Sequence, residues 1–229
     1  MFNIPIFCIN LERATERKEL IQKEWIDKLN LDITFWSAYD RRRIKNKEYF
    51  YPYDEISAKN NFLHRELNDG EIACATSFCM LYEHILKHNY SEVIVMEDDI
   101  IPLFNNKLEL FTKIKQGKEE FPTAYMMLLH ECPYSDKEKV YNIKKDIFSM
   151  CDESPWGNQF FYANRKAITI LYDLLKIIKF PADYPQILLS AQQRVIIANQ
   201  PMCYHEWTGP NSKTYIGNSL RGTSRKFIE

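Results

Sequence analysis

Val93-Ile94-Val95-Met96-Glu97-Asp98-Asp99-Ile100-Ile101-Pro102 passes from an apolar, β-branched run into three consecutive carboxylates and back into apolar sequence. Val93 to Met96 has the composition of a strand buried on both faces, which belongs in a sheet covered by helices. The acidic triplet then sits where the chain leaves that sheet. A solvated acidic turn continues into polar residues. Carboxylates flanked by Ile100 and Ile101 instead need a cation or strong donors to offset their desolvation. Two arrangements meet that need. One is a divalent metal shared with phosphate, for which hard oxygen ligands suit Mg²⁺ or Mn²⁺. The other is a structural ion pair with a nearby arginine.

Outward from this segment, the pattern alternates. Upstream, Gly70-Glu71 opens a helix whose apolar positions Ala75, Phe78, Cys79, Tyr82, Ile85 and Leu86 keep to one face. Before it, Ile4 to Ile9 reads as a buried strand and Ala14 to Leu29 as an amphipathic helix with Thr15 as its N-cap. Ile33 to Trp36 is a second strand, and Arg41-Arg42-Arg43 after it reads as a solvated turn. Residues 44 to 69 are polar and irregular, with only weak helix. Downstream, a helix is expected over 107–116, strands at Tyr125–Leu129 and Gln159–Tyr162, a helix from an Asn164 cap to about Lys179, and a last strand at Val195–Ala198. Strand-helix alternation predicts an α/β fold with a mostly parallel central sheet flanked by helices, and ligands at the carboxyl ends of its strands. Residues 208 to 229 read as a loose tail.

The chain has 229 residues, and 30 Lys plus Arg stand against 31 Asp plus Glu. Such a length buries a core without disulfide or metal staples, so a single domain over 1–229 is expected. The charge balance excludes a general nucleic-acid binder, which carries a clear basic excess. The first residues lack a basic segment and a full hydrophobic stretch, and no later apolar run approaches the ~20 residues of a membrane span. A cytoplasmic protein is expected, with its six cysteines as free, mostly buried thiols. His84 and His88 lack the glutamate of H-E-x-x-H and read as solvated. Gly217 to Gly222 has P-loop glycine spacing without the lysine. There is no G-x-G-x-x-G and no G-x-S-x-G, so dinucleotide and α/β-hydrolase chemistry lose their main sequence arguments.

Four ordered blocks, Ile9-Asn10-Leu11-Glu12-Arg13-Ala14-Thr15-Glu16-Arg17, Ala38-Tyr39-Asp40, Gly70-Glu71-Ile72-Ala73-Cys74-Ala75-Thr76-Ser77 and Val93 to Asp99, resemble glycosyltransferase family 25, and a weaker stretch from Phe161 to Ala167 continues the likeness. The sequence departs from the family's pattern at Ala73, where glycine is usual, at Phe78, near the usual histidine, and at Arg41, where glycine often follows the aspartate. The resemblance implies a GT-A type fold in which Glu97-Asp98-Asp99 stands for the D-x-D motif. Mn²⁺ (or Mg²⁺), held chiefly by Asp99 with Glu97 nearby, then neutralises the diphosphate of UDP-galactose. Asn10, Leu11 and Arg17 are expected to border the nucleotide together with Asp98, Arg17 having the alternative of a helix-surface charge.

The family's inverting outcome requires a carboxylate base, for which Asp183 in Pro181-Ala182-Asp183-Tyr184-Pro185 is the candidate and Asp152 and Glu153 are alternates. His205 is a candidate further metal ligand, and Arg221, with Arg225 and Lys226, a candidate closure over the diphosphate. The expected partners are a UDP-sugar donor and a lipid-linked saccharide acceptor of bacterial lipooligosaccharide. Arg41 to Lys47 and the aromatics from Tyr49 to Tyr53 offer a peripheral contact with the inner membrane. Another UDP-hexose donor, or a saccharide- or nucleotide-binding protein without turnover, are the alternatives.

Overall fold

The computed structural model describes residues 4–60, 64–130, 141–151 and 157–205. Along the chain, β1 (Ile6–Asn10), α1 (Thr15–Ile21), β2 (Ile33–Ser37), α2 (Glu55–Asn60) and α3 (Asp69–Lys87) precede β3 (Glu92–Glu97), the strand that ends in the acidic triplet. There follow β4 (Ile100–Pro102), α4 (Lys107–Glu120), β5 (Met126–Leu128), β6 (Tyr141–Lys144), β7 (Phe148–Cys151) and β8 (Phe160–Asn164). The last elements are α5 (Arg165–Leu175), α6 (Tyr184–Ala191), β9 (Val195–Ala198) and β10 (Cys203–His205).

Eight strands form one sheet in the order β2-β1-β3-β8-β5-β9-β7-β6, and β10 pairs with β4 in a separate ribbon. β1 runs parallel to β2 and β3, and β5 parallel to β9. β8 and β7 are antiparallel to both neighbours, so six of the eight strands share one direction and the expected mostly parallel sheet is found. The reversal of β8 shapes the site. Because β8 runs against β3, the residues just before it lie at the end where β3 finishes, and Glu97 N–H donates to the Gln159 carbonyl at 2.9 Å.

Strand residues alternate between two cores. Phe7, Val93, Val95, Phe161 and Val195 face α3, α5 and α6 through Phe78, Tyr82, Ile168 and Leu189. Cys8, Ile94, Met96, Phe160 and Ile196 face the other way, toward Trp25, Leu110 and Ile114. This is why β3 reads as an uninterrupted apolar run. Cys8, Cys74 and Cys79 are free thiols, two of them buried. No helix among the described residues is long and apolar enough to cross a membrane.

Several expected boundaries are corrected. The helix read over 14–29 is α1 followed by a wider π-type stretch, Gln22–Asp27, which brings Ile21 and Trp25 to full burial. Ala14, not Thr15, holds its N-cap position, and no side chain caps it. α3 begins at Asp69 because Asn68 and Glu71 form a reciprocal capping box. α5 stops at Leu175, short of 179, because Ile178 leaves the helix to pair with Tyr53 and donates its N–H to Pro52 O at 2.8 Å. His84 is not simply solvated: it is half-buried, with its ring 4.9 Å from that of Trp36 and 4.0 Å from that of His88. The tail from 208 lies outside the described residues.

Candidate active site

β1, β2 and β3 finish side by side, with Asn10 opposite Ser37 and Ile9 opposite Glu97, and the first turns of α3 lie over their ends. Between them opens a cleft of about 690 Å³, counting space open to solvent. Leu11, Arg13 and Arg17 line it from beyond β1, Tyr39 and Arg41 from beyond β2, Cys74 and Ser77 from α3, and Glu97, Asp98 and Asp99 from the end of β3. The acidic triplet therefore faces a cavity.

Its charges are managed from β1 and α1. Asn10 Nδ2 donates to Asp98 Oδ2 at 2.7 Å, and Arg17 Nη1 donates to Asp98 Oδ1 at 2.7 Å. The same Arg17 nitrogen lies 3.0 Å from Asp99 Oδ2. Burial pushes the Asp98 carboxyl up, against the Arg17 charge and the two hydrogen bonds that favour its ionised form. Burial also raises Glu97 well above the ordinary carboxylate range, and Asp99, Asp98 and Asp183 add to that rise. The ion pair weighed from sequence is thus present, with the Arg17 guanidinium shared between Asp98 and Asp99. Arg17 is no mere helix-surface charge.

Among the described residues no three His, Cys, Asp or Glu side chains converge into a metal cage. A divalent ion that shares its shell with substrate phosphates and waters needs only one or two protein carboxylates, however. Glu97 and Asp99 fit that role. They are hard oxygen donors at the cleft floor, while Asp98 is taken by Asn10 and Arg17.

The β2 side is braced by a second ion cluster. Asp40 accepts Arg42 N–H at 3.0 Å and capped by it is a short 3₁₀ turn over Arg41–Arg43, while Arg42 Nε and Arg13 Nε reach the same carboxylate at 2.9 and 2.8 Å. Burial works to raise Asp40, but these bonds outweigh it and hold the carboxyl well below the usual range. The run is the solvated turn expected, exposed at all three arginines, with Arg41 alone reaching the cleft. Ser77 Oγ accepts Tyr39 N–H at 2.8 Å and donates to Ala73 O at 2.8 Å, so the α3 block positions Tyr39.

Asp183 lies on the opposite flank, at the N-cap position of α6 between two prolines, without capping the helix through its side chain. Burial pushes its carboxyl up to about 6; hydrogen bonds from its own N–H and that of Gly157 lower it, and the Glu71 charge raises it. Gly157 stands at φ +107°, a conformation that favours glycine. Gln186 Nε2 donates to Gly157 O at 2.8 Å and Asn158 Nδ2 to Ala182 O at 2.7 Å, so buried amides lock the two loops together. Asp183 is not part of the cleft wall, but its charge reaches both Glu97 and Cys74. The Cys74 thiol is pushed well up by burial and by those carboxylates, which makes it a poor nucleophile.

Of the residues expected from sequence, Leu11, Arg17, Glu97, Asp98 and Asp99 share the cleft wall, Asn10 lies beneath it bracing Asp98, and Asp183 stands beside it. His205 pairs through its backbone opposite Ile100, one residue past Asp99; its side chain lies outside what is described. Asp152, Glu153, Arg221, Arg225 and Lys226 also lie outside the described residues. Sequence reasoning did not assign Tyr39, Arg41, Cys74 and Ser77 to the site. The signal for them was the ordered blocks, which hold all but Arg41.

A sequence model described as Glycosyltransferase family 25 (LPS biosynthesis protein) matches residues 3–184. A "Glycosyltransferase 25 family member" of Anopheles gambiae is 35% identical over 101 residues, covering 42% of this chain and 16% of that protein. A "Lipooligosaccharide biosynthesis protein" of Haemophilus influenzae is 30% identical over 97 residues, covering 42% of this chain and 33% of that protein. These matches thus span only 16% to 33% of the relatives' own length. Among solved structures, a glycosyltransferase involved in glycosylating the major capsid of PBCV-1 is 12% identical with a TM-score of 0.46, covering 90% of this chain and 95% of that one.

Proposed function

Because the chain belongs to glycosyltransferase family 25, we propose that it moves a hexose, galactose first among the candidates, from UDP to a saccharide acceptor of bacterial lipooligosaccharide, with inversion at the anomeric carbon. The observation that carries this reading is the acidic triplet at the end of β3, braced by Asn10 and Arg17 at the floor of a cleft. Leu11, Arg17 and Tyr39 border the nucleotide, and Asp98 keeps Arg17 aimed at the acid cluster. Glu97 and Asp99 are the residues to hold Mn²⁺ or Mg²⁺, which when bound supplies neutralisation of the diphosphate leaving group. Asp183 takes the proton of the attacking acceptor hydroxyl. A carboxyl at about 6 is ionised at neutral pH and still basic enough for that transfer. Arg221, Arg225 and Lys226 are retained as a closure over the diphosphate, and protease protection of the tail by UDP with Mn²⁺ tests it.

The acceptor is proposed to be lipid-linked and met at the cytoplasmic face of the inner membrane. Phe50 is 59% exposed and the Arg41–Arg43 turn lies close by, since Phe50 packs on Tyr39 and Arg43 stacks over the same ring. Co-sedimentation with anionic vesicles, reduced in Phe50→Ala, is the expected result.

The deciding experiment is UDP-sugar hydrolysis over a donor panel with and without Mn²⁺. Metal-dependent UDP release that collapses in Asp99→Ala is expected. Undiminished release in that variant removes the metal role assigned to Asp99, and Mn²⁺-dependent UDP binding without any turnover or transfer favours a binding protein instead.

A further inference from the structure

We propose that Gln159 reads a hydroxyl of the donor hexose and so sets which UDP-sugar the cleft accepts; this rests on the transferase reading above. Gln159 immediately precedes β8, and its carbonyl accepts Glu97 N–H at 2.9 Å, which places the two residues opposite each other on adjacent strands. Side chains alternate along both strands. Val95 and Phe161 face the α3 core while Met96 and Phe160 face the other. The same period puts Glu97 and Gln159 together on the α3 side, with Glu97 in the cleft wall and Gln159 just beyond it toward Asp183.

The Gln159 amide is underused there. Its Oε1 is buried and takes no hydrogen bond among the described residues. A buried carbonyl oxygen without a donor destabilises the fold, and where a native protein keeps one, a ligand or water that completes it is a physical reason. The amide lies against Gly157, close enough that a Cβ there would meet Oε1 at 2.1 Å. Gly157 in turn bonds Asp183 through its N–H. Running across the sheet, the order is therefore acid triplet, Gln159, Gly157, Asp183.

Position selects the hexose over the rest of the donor. The nucleotide end of the cleft is built from the β1 and β2 sides, and the diphosphate belongs with the acid triplet. A hexose joined to that diphosphate and attacked by a hydroxyl that gives its proton to Asp183 must lie between the two, over Gln159. Chemistry agrees with position. A neutral amide both donates and accepts, which matches a sugar hydroxyl that does both as well. Sites that hydrogen-bond a substrate hydroxyl reject the analogue that misplaces it far better than apolar pockets do.

Calorimetric dissociation constants of UDP, UDP-galactose and UDP-glucose, each with Mn²⁺, test this in wild type and Gln159→Leu. Wild type is expected to prefer one epimer; in Gln159→Leu that preference falls about tenfold or to nothing, while the affinity for UDP itself stays within about twofold, as loss of one hydroxyl contact predicts. An unchanged preference overturns the proposal, as do a wild type indifferent to the epimer and a parallel loss of UDP affinity in a folded variant. If Gln159→Leu does not fold, Gln159→Asn replaces it, and a wild-type preference in that variant overturns the proposal equally. A wild type that binds no UDP removes the transferase reading and this inference together, whereas UDP binding with an unaltered epimer preference in the variants removes this inference alone.

Discussion

The two flanks of the cleft solve the same problem, carboxyl groups withdrawn from water, in opposite ways. On the β1–β3 flank Asp98 receives an amide and a guanidinium, each at 2.7 Å, and Asp40 is held by two arginines. On the β8–α6 flank no described cation reaches Asp183 in a salt bridge; backbone N–H groups meet it, and its carboxyl rises to about 6. On the first flank the arginines hold the Asp40 carboxyl well below the usual range, and at Asp98 the Arg17 charge and two hydrogen bonds work against a rise driven by burial. The second keeps a carboxyl close to the point where it exchanges a proton. The division follows from where desolvation is compensated by full positive charge and where only by dipoles.

The sharpest way to break this comparison is Asp183→Asn. Transfer is expected to fall on the order of 10²–10⁴-fold, as for loss of a general base, while UDP affinity measured by calorimetry holds. In wild type the transfer rate should rise with pH through about 6 and level off above it, since the base works only when ionised; Asp183→Asn should erase that limb. Stability moves the other way. A carboxyl whose folded-state pKa is raised leaves the unfolded chain ionised first, so its contribution is present below about pH 4 and is lost as pH rises through about 6. At pH 7 Asp183→Asn should therefore melt higher than wild type, by on the order of 2–4 °C for each kcal/mol gained. A lower melting point would erase the contrast between the flanks.

Asp99→Ala comes next, with metal-dependent UDP release expected to drop roughly 10²–10³-fold, the scale of losing a key electrostatic stabiliser. Arg17→Gln should cost about 1–3 kcal/mol in urea unfolding at pH 7, because it leaves Asp98 short of its cation. That loss should shrink in acid, where Asp98 takes up a proton. Gly157→Ala is expected to cost a similar amount, about 1–3 kcal/mol, from backbone strain at φ +107° and from the new Cβ meeting the Gln159 amide. Its kinetic signature should be a lower kcat with unchanged UDP affinity, since Gly157 bears on Asp183 and on the Gln159 amide and not on the nucleotide end of the cleft.

The first flank was readable in the amino-acid string and the second largely was not. Val93 to Asp99 announces itself because strand, acid cluster and apolar continuation are contiguous, and period-3.6 spacing locates α3 without help. Asp183 could be singled out as a loop carboxylate between prolines, but nothing local says that Gly157 and Glu71 bear on it. That information lies in the reversed β8, whose antiparallel pairing no short motif encodes. β4, β6, β7 and β10 escaped notice although β5 and β9, which are no longer than these, did not: such short strands show in composition only where the run is uninterrupted, and otherwise depend on their partners. The Arg41–Arg43 run is exposed as its charge suggests; what the string did not show is that Arg41 at its start also borders the cleft.

The antiparallel pairing of β3 with β8 also bears on how the chain is born. Glu92 lies opposite Asn164, so as synthesis proceeds that border of β3 must wait for roughly seventy further residues before its backbone groups are met. During that interval the apolar stretch Val93–Met96 offers open N–H and C=O groups to any neighbouring polypeptide, and crowded ribosomes make such neighbours plentiful. The arrangement that sets Asp183 beside the acids thus also fixes the moment at which the nascent chain is most prone to sticking.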